Sequence, residues 1–391
     1  MRVNIREKKM TLVVLMIAAL FLVIFGAAPY ARSLGESREE VSSSPTNPSG
    51  AGANGVAPAQ DMEPPSSIPV SPIFFDAVYV VNGGDGMNGS ISVINADTNT
   101  VARTIMLTDA MWPHHIYMSA DRNKLLVAVP GMDLSMGHDQ EMPPDMMGAV
   151  MLLDAKTGAT IKSRMLPAMN HNAVFSPNQS EVWTSQMMMD MPGSVLVLSA
   201  TTLATLQEIP VGDMPAEVTF SPGGTQGWVT NMMSNTVSAI NPSTKTVFKT
   251  IAVGEMPIIP SQADNGHIYV DCEMGKSISV VDRTHLHVDF TYNLGFTPAY
   301  AKLGPDGHLW VTDTDNGKVV LFDPDRDDRQ HEIKVGAGAH AIDFSADGKT
   351  AYVSNQMANT VSVIDVGSRT VKKTVTVGAK PNGVLFRTHT H

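Results

Sequence analysis

From about residue 75 onward the chain alternates apolar and polar residues over short runs, each closed by Gly, Asn, Asp or Pro. A period of two in runs such as "TVSVID" and "TVKKTVTV" belongs to half-buried strands, and the intervening turn residues mark hairpins. The runs recur as a unit. The segment "AYVSNQMANTVSVIDVGSRTVKKTVTVGAKPNGVLF" at 351–386 has relatives upstream, including "GWVTNMMSNTVSAINPSTKTVFKTIAVGEMPIIP". Aligned on an aromatic or apolar anchor, the units begin at Tyr79, Leu126, Trp183, Trp228, Tyr269, Trp310 and Tyr352, which makes seven. Each holds a strand, a turn, an alternating strand, a turn opened by Asp or Asn, a third strand, then Gly and often Pro before a fourth. Four antiparallel strands repeated radially describe an all-β chain, a seven-bladed β-propeller whose blades bury their faces against one another. The array starts on a second strand ("AVYVVN") and ends on a first strand ("PNGVLF"), so the C-terminal strand is expected to complete the first blade.

The words "YVVN", "WVTN" and "YVSN", paired with "VSVID", "VSAIN" and "ISVVD", resemble the YVTN-repeat β-propellers, including the YncE-like exported proteins. The resemblance runs from about Phe75 to Phe386. It implies the fold. That scaffold hosts binding proteins, enzymes and surface-layer proteins, so function has to be read from the site.

Upstream of the repeats the pattern changes twice. Arg2, Arg6, Lys8 and Lys9 precede the uncharged apolar run "TLVVLMIAALFLVIFGAA", which reads as an export signal over residues 1–31, either cleaved or kept as an anchor at residues 11–28. Residues 32–74 are rich in Ser, Pro and Gly and read as a flexible linker, and residues 75–391 form the propeller. A periplasmic or extracellular location follows, with any membrane contact confined to the N-terminal segment.

A net charge of -11 and the lack of a basic run exclude nucleic acid as a partner. The single cysteine, Cys272, excludes an internal disulfide, so stability has to come from packing.

The chemistry-bearing residues gather on one rim of the expected ring. Loops after second strands and loops entering first strands share that rim, and most of the 26 methionines fall in them. Met132, Met136 and His138 lie in the insertion "PGMDLSMGHDQEMPPDMMG", Met187 and Met189 lie in "QMMMDMPG", and Met111, Met169, Cys272 and Met274 sit at the same level. The first residues of the first strands open into the channel. That register places His114, His171 and His340 in one tier, with His115 beside them. Thioethers select Cu(I), while imidazole serves copper and zinc alike. The Met segments resemble those of periplasmic copper-resistance proteins. Copper, or zinc, is therefore the expected cofactor at these residues, and copper sequestration, delivery or sensing is the expected function. A protein docking on the Met-rich face is a possible second partner.

Other readings stay open. Methionine is also an adaptable gap-filler, and channel histidines can be structural. A metal-independent interaction scaffold and a copper-dependent oxidoreductase are the alternatives. No Gly-rich phosphate loop or nucleophilic triad appears, and a lactonase-type propeller would need a cluster of channel carboxylates, where at the tier Glu217 stands nearly alone.

Overall fold

A computed structural model describes residues 71–86, 88–135, 146–187 and 192–389. The expected export signal, most of the expected linker, and Met136, His138 and Met189 lie outside the described residues. Among the described residues no helix is long and apolar enough to cross a membrane.

The described chain is all strand and turn, in seven four-stranded antiparallel sheets. Six are built from consecutive strands. The seventh takes its innermost strand from the C-terminus: Pro381–Arg387 pairs with Ala77–Asn82, with Tyr79 opposite Leu385 and Val80 opposite Val384. Each innermost strand touches the innermost strands of the blades on either side, and the ring closes from Pro381–Arg387 to Ile116–Met118 and to Ala339–Phe344. The expected closure is the one observed.

Blade-to-blade packing explains the repeat anchors. Each anchor sits on a second strand, is fully buried, and points at the next blade. Trp183 packs on Val218 and Val229, Trp228 on Ile268 and Val270, and Trp310 on Ile342 and Val353. Tyr79 does the same on Leu125 and Val127, and Tyr352 on Val78 and Val80. These large side chains are the apolar faces the repeat pattern requires.

The Asn that ends words such as "WVTN" has a different task. Asn231 donates from Nδ2 to Thr236 Oγ1 and Ser238 Oγ, both at 3.0 Å, and accepts from the Gly212 N–H at 3.1 Å. Asn355 repeats this with Thr360, Ser362 and Gly336. The amide thus ties the second strand to the third and to the segment entering the first. The glycine is part of the device, because a Cβ at Gly212 would sit 2.7 Å from Asn231 Cγ. Asn231→Ala leaves the Gly212 N–H and two hydroxyls to find other partners, and is expected to destabilise the fold by about 2 kcal/mol. Urea unfolding measures it; a change within error would show that the knot is dispensable.

Candidate active site

The inner strands start irregularly, and this places the site. Their pairing slips between Pro215 and Val218, Pro257 and Pro260, Pro298 and Ala301, and Ala339 and Ile342. In a regular strand neighbouring side chains face opposite ways, whereas a bulge re-aims them. His114 and His115 precede the short strand Ile116–Met118 and are held by His114 N to Ala128 O at 2.9 Å and Ala128 N to His115 O at 3.0 Å. The backbone of the closing strand approaches closely here. A Cβ on Gly383 would lie 2.9 Å from His115 Cα.

Among the described residues, four imidazoles meet in the channel. Ring centroids are 4.5 Å apart for His114 and His115 and for His114 and His171, 5.0 Å for His115 and His171, and 5.6 and 5.8 Å from His340 to His114 and His115. All four are buried. The structure therefore brings together the residues that the register placed in one tier.

Glu217 completes the group. Its Oε1 lies 2.8 Å from His171 Nδ1 and 3.0 Å from His115 Nε2, with the carboxylate 2% exposed. Its Oε2 accepts from Tyr117 Oη and Asn172 Nδ2, each at 3.3 Å. Asn172 is itself fixed by bonds to Val218 N and O. The carboxylate is thus locked between two imidazoles and buried, where electrostatic interactions are strong. Burial, with Glu217 adding to it, pushes the Tyr117 hydroxyl well above its usual range, so it stays a donor.

Above the histidines opens a cavity of about 430 Å³, with His171, His340 and Asp271 among its lining and Met274, Lys276 and Asp315 toward its mouth. Asp271 is a residue that sequence reasoning missed. Its Oδ1 accepts from Ile259 N at 2.9 Å, while its Oδ2 is buried with no hydrogen-bond partner among the described residues. Burial, then the charges of Glu217 and Glu273, raise its pKa well above the usual carboxyl value, so it holds its proton. A signal existed: "YVDC" puts Asp where sibling units carry Thr230, Thr312 or Ser354.

The raised value has a stability consequence with a definite sign. The stabilisation that comes with the folded chain's tighter hold on this proton is fully present below the unfolded carboxyl value and is lost as pH rises through the folded one. Asp271→Asn keeps the acceptor for Ile259 N–H and abolishes the titration. It is expected to melt above the unsubstituted protein at about pH 8, with the margin closing toward pH 4. Melting curves across that range check it; a margin independent of pH would refute the assignment.

The other predicted ligands are placed as follows. Met169 and Met187 are buried and pair as an isolated bridge, and they pack with Met214, Met232, Met256 and Leu134 in one apolar cluster that Met132 flanks. Met111 and Met274 are half exposed. Cys272 stands where Asn231 and Asn355 stand in their blades, with Sγ 3.7 Å from Ser279 Oγ, and burial pushes its thiol up to about 11. It fills the Asn position of its blade as a neutral thiol.

Closed blades define a seven-bladed β-propeller with a buried histidine–carboxylate centre in its channel. Residues 296–390 match the family model described as "Lactonase, 7-bladed beta-propeller". No curated protein matches the chain at a significant level. Among solved structures, the chain is similar to the periplasmic gluconolactonase of Pseudomonas aeruginosa, with TM-score 0.66, 18% identity, and coverage of 81% of this chain and 99% of that one. A putative 6-phosphogluconolactonase from Bacteroides fragilis aligns with TM-score 0.63 and 14% identity over 80% and 98% of the two chains. Hydrazine synthase from Kuenenia stuttgartiensis aligns at 0.57 and 16%, over 69% and 88%. At these identities the likeness concerns the fold.

These comparisons correct the functional expectation. Copper sequestration, delivery or sensing is overturned by a family match and structural neighbours that point to lactonase-type propellers. The YncE-like and copper-resistance resemblances find no support in them either. The physical reason lies in the methionines, several of which pack against one another in an apolar cluster instead of standing open on a rim. The lone Glu217 of the sequence reading also gains a neighbour, since Asp271 lies close enough for the Glu217 charge to act on it.

Proposed function

We propose that this chain is a lactonase-type hydrolase that opens a small polar cyclic ester in the channel cavity, acting in the periplasm. The observation that carries the reading is the Glu217 carboxylate held between His115 and His171 behind the cavity wall. Ester hydrolysis needs a group that takes a proton from water, a donor for the developing oxyanion, and a proton for the departing alkoxide. The histidine–Glu217 unit supports the first role. As the water oxygen bonds to the carbonyl carbon, its proton passes to this unit. Asp271, neutral and with Oδ2 lacking a protein partner, supplies an O–H to the carbonyl oxygen as charge builds there. Collapse of the tetrahedral species breaks the ring C–O bond, the alkoxide takes the proton back, and a hydroxy acid leaves.

Three further features agree. The cavity volume lies in the range of small-molecule sites. The family match and the gluconolactonase neighbour carry the same chemistry in their names, and the latter also a periplasmic location. The test is proton release from glucono-δ-lactone and related five- and six-membered aldonolactones, followed at constant pH with the purified full chain. A saturable rate above spontaneous opening is expected. No rate above that background with any of them would overturn the proposal.

A further inference from the structure

Three of the four described channel histidines stand in a closer relation than a proton relay requires. One ring nitrogen from each of His114, His115 and His171 lies within 4.8 Å of the others, and all three residues are buried. Three nitrogens bound to one tetrahedral zinc at about 2.0–2.1 Å are about 3.4 Å from one another. Closing the present set onto a common point therefore asks for shifts of roughly an ångström or less, which side-chain torsions supply.

The surroundings match what a metal asks of its ligands. A ligating imidazole holds its other ring nitrogen against a carboxylate or carbonyl, which fixes the tautomer. His171 Nδ1 has Glu217 Oε1 at 2.8 Å, a carboxylate partner of that kind. On His114 the Asn382 amide meets Nδ1, and Asn382 Oδ1 has no partner among the described residues. Amide oxygen and nitrogen are interchangeable by a half-turn. Turning it lets His114 Nδ1–H donate to Oδ1 and satisfies the buried oxygen. The Glu217 carboxylate also offsets part of the buried positive charge.

We infer that His114, His115 and His171 form a site for one divalent first-row metal ion of the zinc class, with Glu217 and Asn382 orienting the ligands. Three protein ligands leave a fourth position open, the arrangement that catalytic zinc sites share and structural ones lack. This deepens the hydrolase reading and rests on it only for what the open position does. A bound ion would supply the acidification of a water there, with the imidazoles as its ligands and Glu217 holding them in place.

The experiment uses the full chain, stripped of metal with a chelator and titrated with zinc by calorimetry, with cobalt(II) as a spectroscopic probe. One ion per chain is expected, with intense visible cobalt bands of a four-coordinate nitrogen site. His171→Ala should weaken zinc binding at least 100-fold, Glu217→Gln about 10- to 100-fold, and the surface change His285→Ala not at all. Zinc should also raise the melting temperature of the stripped, unsubstituted chain, a readout that needs no variant to fold. Absence of saturable one-to-one binding, or undiminished binding by His171→Ala, would overturn the inference. Hydrolysis that persists undiminished in metal-free protein would overturn the role given to the open position while leaving the hydrolase standing. Stoichiometric metal without hydrolysis would overturn the hydrolase reading and leave the metal site intact.

Discussion

A chain ending at Ala379 is expected to lose cooperative unfolding. The missing strand Pro381–Arg387 is the inner strand of the first blade, and its pairing with Ala77–Asn82 joins the two ends of the repeat array within one sheet. Without it, Val78 and Val80 lose part of their cover, including Val384 and Phe386, and the neighbouring blades lose a partner on each side. Net stabilities of folded domains are only about 5–15 kcal/mol. Loss of a whole inner strand is of that order. Asn382 and Gly383 leave with it, so His114 and His115 lose the backbone and amide that seat them. Circular dichroism melting decides: a transition as sharp and as high as that of the full chain would mean that the closure does not hold the ring.

The largest functional effect is expected from Glu217→Gln. Gln has nearly the same shape and can still accept from Tyr117 and Asn172, but it carries no charge to support the imidazole that takes the proton from water. General base catalysis contributes typically 10²–10⁴-fold. Hydrolysis of the best aldonolactone should therefore fall at least about a hundredfold, mainly in kcat, with melting little changed. If kcat falls less than about threefold, the base lies elsewhere and the carboxylate's place between the imidazoles is architectural.

The sequence by itself determined the ring. Alternation with a period of two, the spacing of Tyr79, Trp183, Trp228, Trp310 and their siblings, and a final half-unit at "PNGVLF" were enough, because each is a local consequence of strand pleating and of blade faces that have to be covered. It also placed His114, His171 and His340 at one level, since register along equivalent strands fixes depth. What it could not weigh was which side chains turn inward where the strands are irregular. His115 and Glu217 share the channel with their neighbours only because the inner strands bulge or begin late, a property of pairing with the next strand and not of either residue's own segment. Asp271 carries a visible departure from the repeat, but its neutrality comes from burial and from Glu217 on another blade, with Glu273 two residues along adding to it. The methionines show the same divide. Composition reads them as soft ligands, whereas the tertiary structure packs Met169, Met187, Met214, Met232 and Met256 against one another, because a flexible apolar side chain at a crowded channel mouth minimises its exposed area by filling the gap.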